Sequence, residues 1–123
     1  MSWTEDELRA VTAADELSIA PVKRDGGLRG FTIIWAVREG DDVYVRAAYG
    51  PRTGWHRVAR AGGAARVRVG GLERDVTVEA ADPASYDAVD AAYRDKYGRR
   101  YASIVDGITT PEARATTLRL TPA

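Results

Sequence analysis

The chain has 123 residues, 45% of them hydrophobic, with eighteen basic and eighteen acidic side chains, one histidine and no cysteine. That size and apolar content predict one domain spanning 1–123 around a single core. Disulfides, thiolate metal sites and thiol catalysis are excluded, and a lone histidine gives no basis for a zinc or non-haem iron centre, so redox chemistry here would call for an organic cofactor.

The start, Met1 to Glu7, is acidic where a signal peptide would be basic, and no apolar run approaches membrane-spanning length, which predicts a cytoplasmic protein with no membrane contact. Thr4 followed by Glu7 has capping-box spacing and predicts a helix from about Glu5 to Ala14. Leu17 to Lys23 reads as a strand ended by Asp25-Gly26-Gly27, and Phe31 to Arg38 as a second, rich in β-branched and aromatic residues. Glu39-Gly40-Asp41-Asp42 is turn chemistry, so Val43 to Ala48 should return antiparallel. After the turn Tyr49-Gly50-Pro51-Arg52-Thr53-Gly54, Trp55, Val58 and Ala59 recur at helical spacing until Gly62-Gly63. Ala65 to Val69 and Leu72 to Ala80 read as a hairpin across Gly70-Gly71, with Arg68 opposite Glu73 and Arg66 opposite Asp75. Asp82-Pro83 opens a helix to about Tyr97, striped by Tyr86, Val89, Tyr93 and Tyr97. A loop from Tyr101 to Pro111 precedes a last strand, Ala115 to Leu120. Six short strands with hairpin turns and few helices predict an α+β fold, a six-stranded antiparallel β-barrel with peripheral helices.

Charge is unevenly distributed. Between Val43 and Leu72 there are six arginines and the histidine but no carboxylate, leaving all eighteen acids and twelve bases to the rest of the chain. Such segregation concentrates positive potential and favours an anionic ligand. The hairpin ion pairs account for Arg66 and Arg68 without a ligand. Arg46, Arg52, Arg57 and Arg60 have no acid close in sequence, and two readings stand for them: an anion site at the start of a helix, or no ligand, with the arginines on a solvated helix surface or else paired with Glu39, Asp41 or Asp42 from elsewhere in the fold. Arg74 falls on the apolar face of its strand and should sit at the barrel rim beside a carboxylate. His56 is the one acid–base candidate, set against an ordinary place on the helix surface. Trp35 and Trp55 read as core or as walls for a flat ring.

Several stretches carry a resemblance. Glu39 to Arg46, Gly50 with Gly54 to Arg57, Arg68 to Val76, Asp90 to Gly98 and Arg114 to Leu120 resemble the bacterial family catalogued as domain of unknown function 2255, over nearly the whole chain. More loosely, the order of elements is similar to flavin-binding split β-barrels, the pyridoxamine-phosphate-oxidase-like proteins and the deazaflavin-dependent nitroreductase group. That resemblance implies a split barrel with FMN or a deazaflavin coenzyme as cofactor. Its phosphate would lie against Ala48 to Arg60, held by Arg46, Tyr49, Arg52, Thr53, Gly54, Trp55, Arg57 and Arg60. Its ring would lie near Thr32 to Trp35, with Trp35 and Tyr101 lining the substrate side. This chain has Tyr49-Gly50-Pro51-Arg52 where those proteins carry a Ser/Thr-Lys pair. Relatives of this kind occur as monomers and as homodimers.

Three functions follow for comparison. The first is a flavin- or deazaflavin-dependent oxidoreductase acting on a small organic molecule, which suits a chain poor in nucleophiles. The second is a cofactor-free binder of, or enzyme for, an anionic metabolite. The third is an interaction protein whose basic patch meets an acidic partner. Nucleic acid is disfavoured, because the acidic surplus elsewhere cancels the long-range field.

Overall fold

The first helix, α1 (Glu5–Ala13), starts on the capping box that the sequence requires: Thr4 Oγ1 accepts from the Glu7 N–H at 3.2 Å, and Glu7 Oε1 accepts from the Thr4 N–H at 2.8 Å. The computed structural model describes residues 2–50 and 52–123. Met1 of the acidic start and Pro51 of the predicted turn lie outside them.

Among the described residues seven strands follow: β1 (Leu17–Pro21), β2 (Thr32–Ile34), β3 (Ala36–Glu39), β4 (Asp42–Val45), β5 (Ala64–Val69), β6 (Leu72–Ala80) and β7 (Leu118–Pro122). They form one antiparallel sheet in the order β2-β1-β5-β6-β7-β4-β3, curled into a nearly closed barrel. The stretch Phe31 to Arg38, predicted as one strand, is broken at Trp35. Before the break Ile33 pairs with Ser18, and after it Val37 pairs with Tyr44. A straight strand can serve only one edge of the sheet. Bending at Trp35 lets consecutive residues serve both edges, and this raises the strand count from the predicted six to seven while keeping the α+β barrel.

The hairpin follows the predicted register, with Val69 opposite Leu72, Arg68 opposite Glu73 and Arg66 opposite Asp75. Gly70 and Gly71 have φ of +53° and +83°, the left-handed pair that a two-residue turn of this kind requires. Arg66 Nε meets Asp75 at 2.8 Å and Arg68 Nε meets Glu73 at 2.7 Å on a solvated face. Exposed pairs of this type contribute at most about 1 kcal/mol each.

Among the described residues five helices surround the barrel: α1, α2 (Gly54–Gly62), α3 (Tyr86–Tyr97), α4 (Ala102–Ile108) and α5 (Pro111–Arg114). A 3-10 turn at Pro83–Ser85, capped by Asp82, precedes α3. The predicted loop from Tyr101 to Pro111 thus contains α4 and the start of α5. In α4 only Val105 and Ile108 are buried, too few for a periodic signal. The last strand begins at Leu118 rather than Ala115, because Thr116 and Thr117 still donate back into α5, to Ala113 O and Arg114 O.

Strand alternation then separates two cores. Inward residues such as Ile19, Val43, Val45, Val67, Leu118 and Leu120 fill the barrel together with Trp3, Leu8 and Val11 from the α1 end. Val37 and Tyr44 face outward and are covered by Val89, Tyr93 and Tyr97 of α3 and by Val105 and Ile108 of α4. The predicted tyrosine stripe is therefore packing, with Tyr93 and Tyr97 fully buried and Tyr86 at its partly open end. Arg74 is at the rim, ion-paired with Glu7 and lying over the Trp3 ring.

Candidate functional site

The loop after β4 leads directly into α2, which begins without a side-chain cap. The Thr53 hydroxyl donates instead to Gly50 O at 2.8 Å, so the positive end of the helix has no side-chain partner. A Cβ at Gly54 would stand 2.6 Å from Nη2 of Arg29, whose guanidinium thus lies against the first turn of the helix.

Two concavities meet at this point. One is a cleft of about 320 Å³, walled by Thr32, Ile34, Trp35, Thr53, Trp55 and Ile108. Its rim carries exposed apolar side chains: Ile33 is 62%, Ile104 50% and Tyr49 93% exposed. The other is a groove of about 650 Å³ lined by Lys23, Arg24, Arg29 and Arg57, with no acid in its lining. Thr53 borders the cleft and the adjacent Gly54 borders the groove.

The predicted residues divide accordingly. Tyr49, Thr53 and Trp55 line the cleft, and Gly54 and Arg57 line the groove. Arg52, Arg57 and Arg60 are exposed and make no ion pair among the described residues, so their side chains are on a solvated surface as one reading expected, the pairing with Glu39, Asp41 or Asp42 does not hold, and of the three only Arg57 lines the groove. Trp35 is fixed by a flat stack on Tyr97, with centroids 4.0 Å apart and 2° between planes, and Tyr101 leans on it at 5.3 Å. Trp35 lines the cleft directly, whereas Tyr101 supports it from behind. Trp55 is both core and wall, being 4% exposed.

Two readings need correction. Arg46 does have an acid partner, supplied from far along the chain: its side chain is 0% exposed and ion-paired with Asp90 of α3. Its Nε also donates to Thr117 Oγ1 at 2.8 Å, Nη1 to Ile108 O at 3.0 Å and Nη2 to Tyr86 O at 3.1 Å. Most of its donors are therefore spent on holding α3, α4 and the α5–β7 connection to the residue that follows β4. Its guanidinium borders the cleft as buried charge rather than as an open hand.

His56 is not on the helix surface. It is 1% exposed, and Nε2 lies 2.8 Å from Thr116 O, which makes that nitrogen the donor. Burial pushes its pKa below the usual value, and nearby Arg60 adds to the shift, against the opposing pull of the Thr116 carbonyl. A group held neutral when folded but free to protonate when unfolded favours the folded state above its unfolded value near 6.5 and loses that advantage as pH falls through it. His56→Gln, which keeps a donor, is expected to flatten the loss of stability between pH 7 and pH 5 in denaturant titrations. An unchanged pH dependence would show that another group causes it.

Lys23, Arg24 and Arg29 were not singled out in the sequence, where they flank a glycine turn that reads only as the end of a strand. Ile104 and Ile108 were missed along with α4. Among the described residues no three His, Cys, Asp or Glu side chains gather in the manner of a metal site, and no helix is long and apolar enough to cross a membrane.

The fold recurs in solved structures of low sequence identity. The heme storage protein HutZ from Vibrio cholerae superposes with a TM-score of 0.67 at 14% identity, covering 97% of this chain and 89% of its own. An F420 reductase gives 0.59 at 17% identity, covering 98% and 96%. An FAD-binding protein from Mesorhizobium loti gives 0.59 at 16%, covering 100% and 92%. Among curated proteins none matches the chain. The family described as "Uncharacterized protein conserved in bacteria (DUF2255)" matches residues 7–120, and with the split barrel and the residue runs above in agreement, the chain belongs to that family.

Proposed function

We propose that the protein binds a flavin-type cofactor, FMN or a deazaflavin coenzyme, and acts as an oxidoreductase on a small organic substrate. One observation carries this reading: a largely apolar cleft of about 320 Å³ and an acid-free basic groove meet at the uncapped start of α2. Such a cofactor, when bound, exchanges hydride with substrate. The chain's own contribution is positioning and charge. The cleft volume lies near the lower bound of ordinary ligand sites, enough for a ring system while the anionic remainder extends outside. Trp35, immobilised on Tyr97, and buried Trp55 offer flat apolar walls that exclude water. Arg52, Arg57 and Arg29, with the α2 N-terminus, supply the donors and positive potential that a phosphate needs. The presence of the fold in an F420 reductase and an FAD-binding protein agrees with this assignment.

The test is an absorbance titration of the pure protein with FMN and, separately, with the deazaflavin coenzyme. One of the two should bind, and Arg52→Ala combined with Arg57→Ala should weaken it by about 10- to 100-fold, with a shallower dependence on salt. If neither coenzyme binds, the reading fails and an anionic metabolite held by the same arginines replaces it; if the double variant binds unchanged, the arginine site is lost from the reading.

A further inference from the structure

The basic groove has a length as well as a charge. Gly54, Arg57, Val58, Ala61 and Gly62 of its lining recur at helical spacing and form one face of α2 from its first residue to its last. At the ordinary helical rise that face extends about 12 Å away from the cleft. The β1–β2 connection supplies the opposite wall.

The cations are spread along that length. At the cleft end the Arg29 guanidinium lies against Gly54. Arg57 follows about one turn along α2 and is exposed. At the far end a Cβ on Gly62 would stand 2.6 Å from Val22 O, so the chain passes from that point into Lys23 and Arg24, both exposed. Among the described residues Arg24, Arg29 and Arg57 make no ion pair, and Lys23 has one acid near it, Asp25 at 4.0 Å, which does not line the groove.

Two physical points favour a chain of anions here over a single one. The dipole of α2 attracts an anion only beside Gly54; at Gly62 the carbonyl ends carry the negative pole, so attraction there comes from Lys23 and Arg24 alone. A lone phosphate, held by charge-assisted hydrogen bonds of about 3 Å, also satisfies only one end of a groove this long. The cations at the other end then stay unneutralised and repel one another.

We propose that the groove takes a linear polyanion, a chain of two or more phosphate or carboxylate groups, laid along α2 from Gly54 to Gly62. The guanidinium fork suits either group. In placing the ring end of the same molecule in the cleft, the inference rests on the cofactor reading above, and it selects within that reading: a coenzyme with a polyanionic tail is preferred to FMN.

Calorimetric titrations at fixed ionic strength would compare orthophosphate, tripolyphosphate and tetra-γ-glutamate, the last two separating phosphate from carboxylate chains. One of the chains should bind at least about tenfold more tightly than orthophosphate. Arg24→Ala should weaken that chain about fivefold and orthophosphate by less than about twofold. Arg60→Ala removes the same charge from an exposed site on α2 outside the groove and should change chain binding by less than about twofold. Among coenzymes, Arg24→Ala should weaken the deazaflavin coenzyme with its oligoglutamate tail and leave FMN unchanged. Equal affinity for orthophosphate and both chains, or equal losses in Arg24→Ala and Arg60→Ala, would overturn the proposal and leave the cofactor assignment standing. A chain bound with the expected signature while neither coenzyme binds would uphold the groove and remove the flavin-type cofactor.

Discussion

Asp90→Ala is expected to lower the unfolding free energy by about 3–5 kcal/mol, the cost of leaving a buried charge without its partner. The aspartate side chain is 10% exposed and is, among the described residues, the sole carboxylate paired with fully buried Arg46. Arg114 also leans on it, with Nε 3.2 Å from the second carboxylate oxygen but out of hydrogen-bond alignment. Removing Asp90 leaves only carbonyls and the Thr117 hydroxyl to answer Arg46, while Arg114 keeps its pair with Asp87. Against a typical total of about 5–15 kcal/mol, that loss is a large fraction of the whole. Equilibrium urea unfolding would measure it. The double variant Arg46→Met with Asp90→Leu should recover most of the deficit, because a charge pair exchanged for apolar groups of similar size is often neutral. A single variant that costs less than about 1 kcal/mol would mean that the pair contributes no more than a surface contact.

Trp3→Ala should cost about 3–4 kcal/mol in the same assay, in the range found for removing a buried aromatic side chain. The indole is 8% exposed, its N–H donates to Leu120 O at 2.8 Å, and the ring packs with the Leu8 and Val11 side of α1 in the barrel core. The ring also sits beneath Arg74, which pairs with Glu7. Truncation would therefore empty one end of the barrel, orphan a carbonyl on β7 and loosen the ion pair above. Trp3→Phe separates these effects, since it keeps most of the volume but not the donor, and should lose about 1–2 kcal/mol. If Trp3→Ala unfolds at the same denaturant concentration as the parent, α1 does not close the barrel in solution.

Elements set by local chemistry were legible in the sequence. The Thr4–Glu7 cap, the Gly70-Gly71 hairpin with its register, and the tyrosine stripe on α3 all depend on residues within a few positions of one another. What was obscure depends on partners brought from far away. Nothing near Trp35 in sequence signals that a strand must change neighbours there, because the requirement comes from closing the sheet. Nothing near Arg46 signals Asp90, 44 positions along. His56 has the spacing of a polar helix face, yet the α5–β7 connection covers it and supplies Thr116 O. The acid-free stretch did point to the start of α2, but half of the basic groove comes from the β1–β2 connection, where Lys23, Arg24 and Arg29 look like ordinary surface charge.

The break at Trp35 ties two properties together. The same residue is the splice between the two edges of the sheet and a wall of the cleft. A molecule wedged against that indole therefore presses on the seam of the barrel, and tight occupancy of the cleft and rigidity of the whole cylinder rise or fall as one quantity.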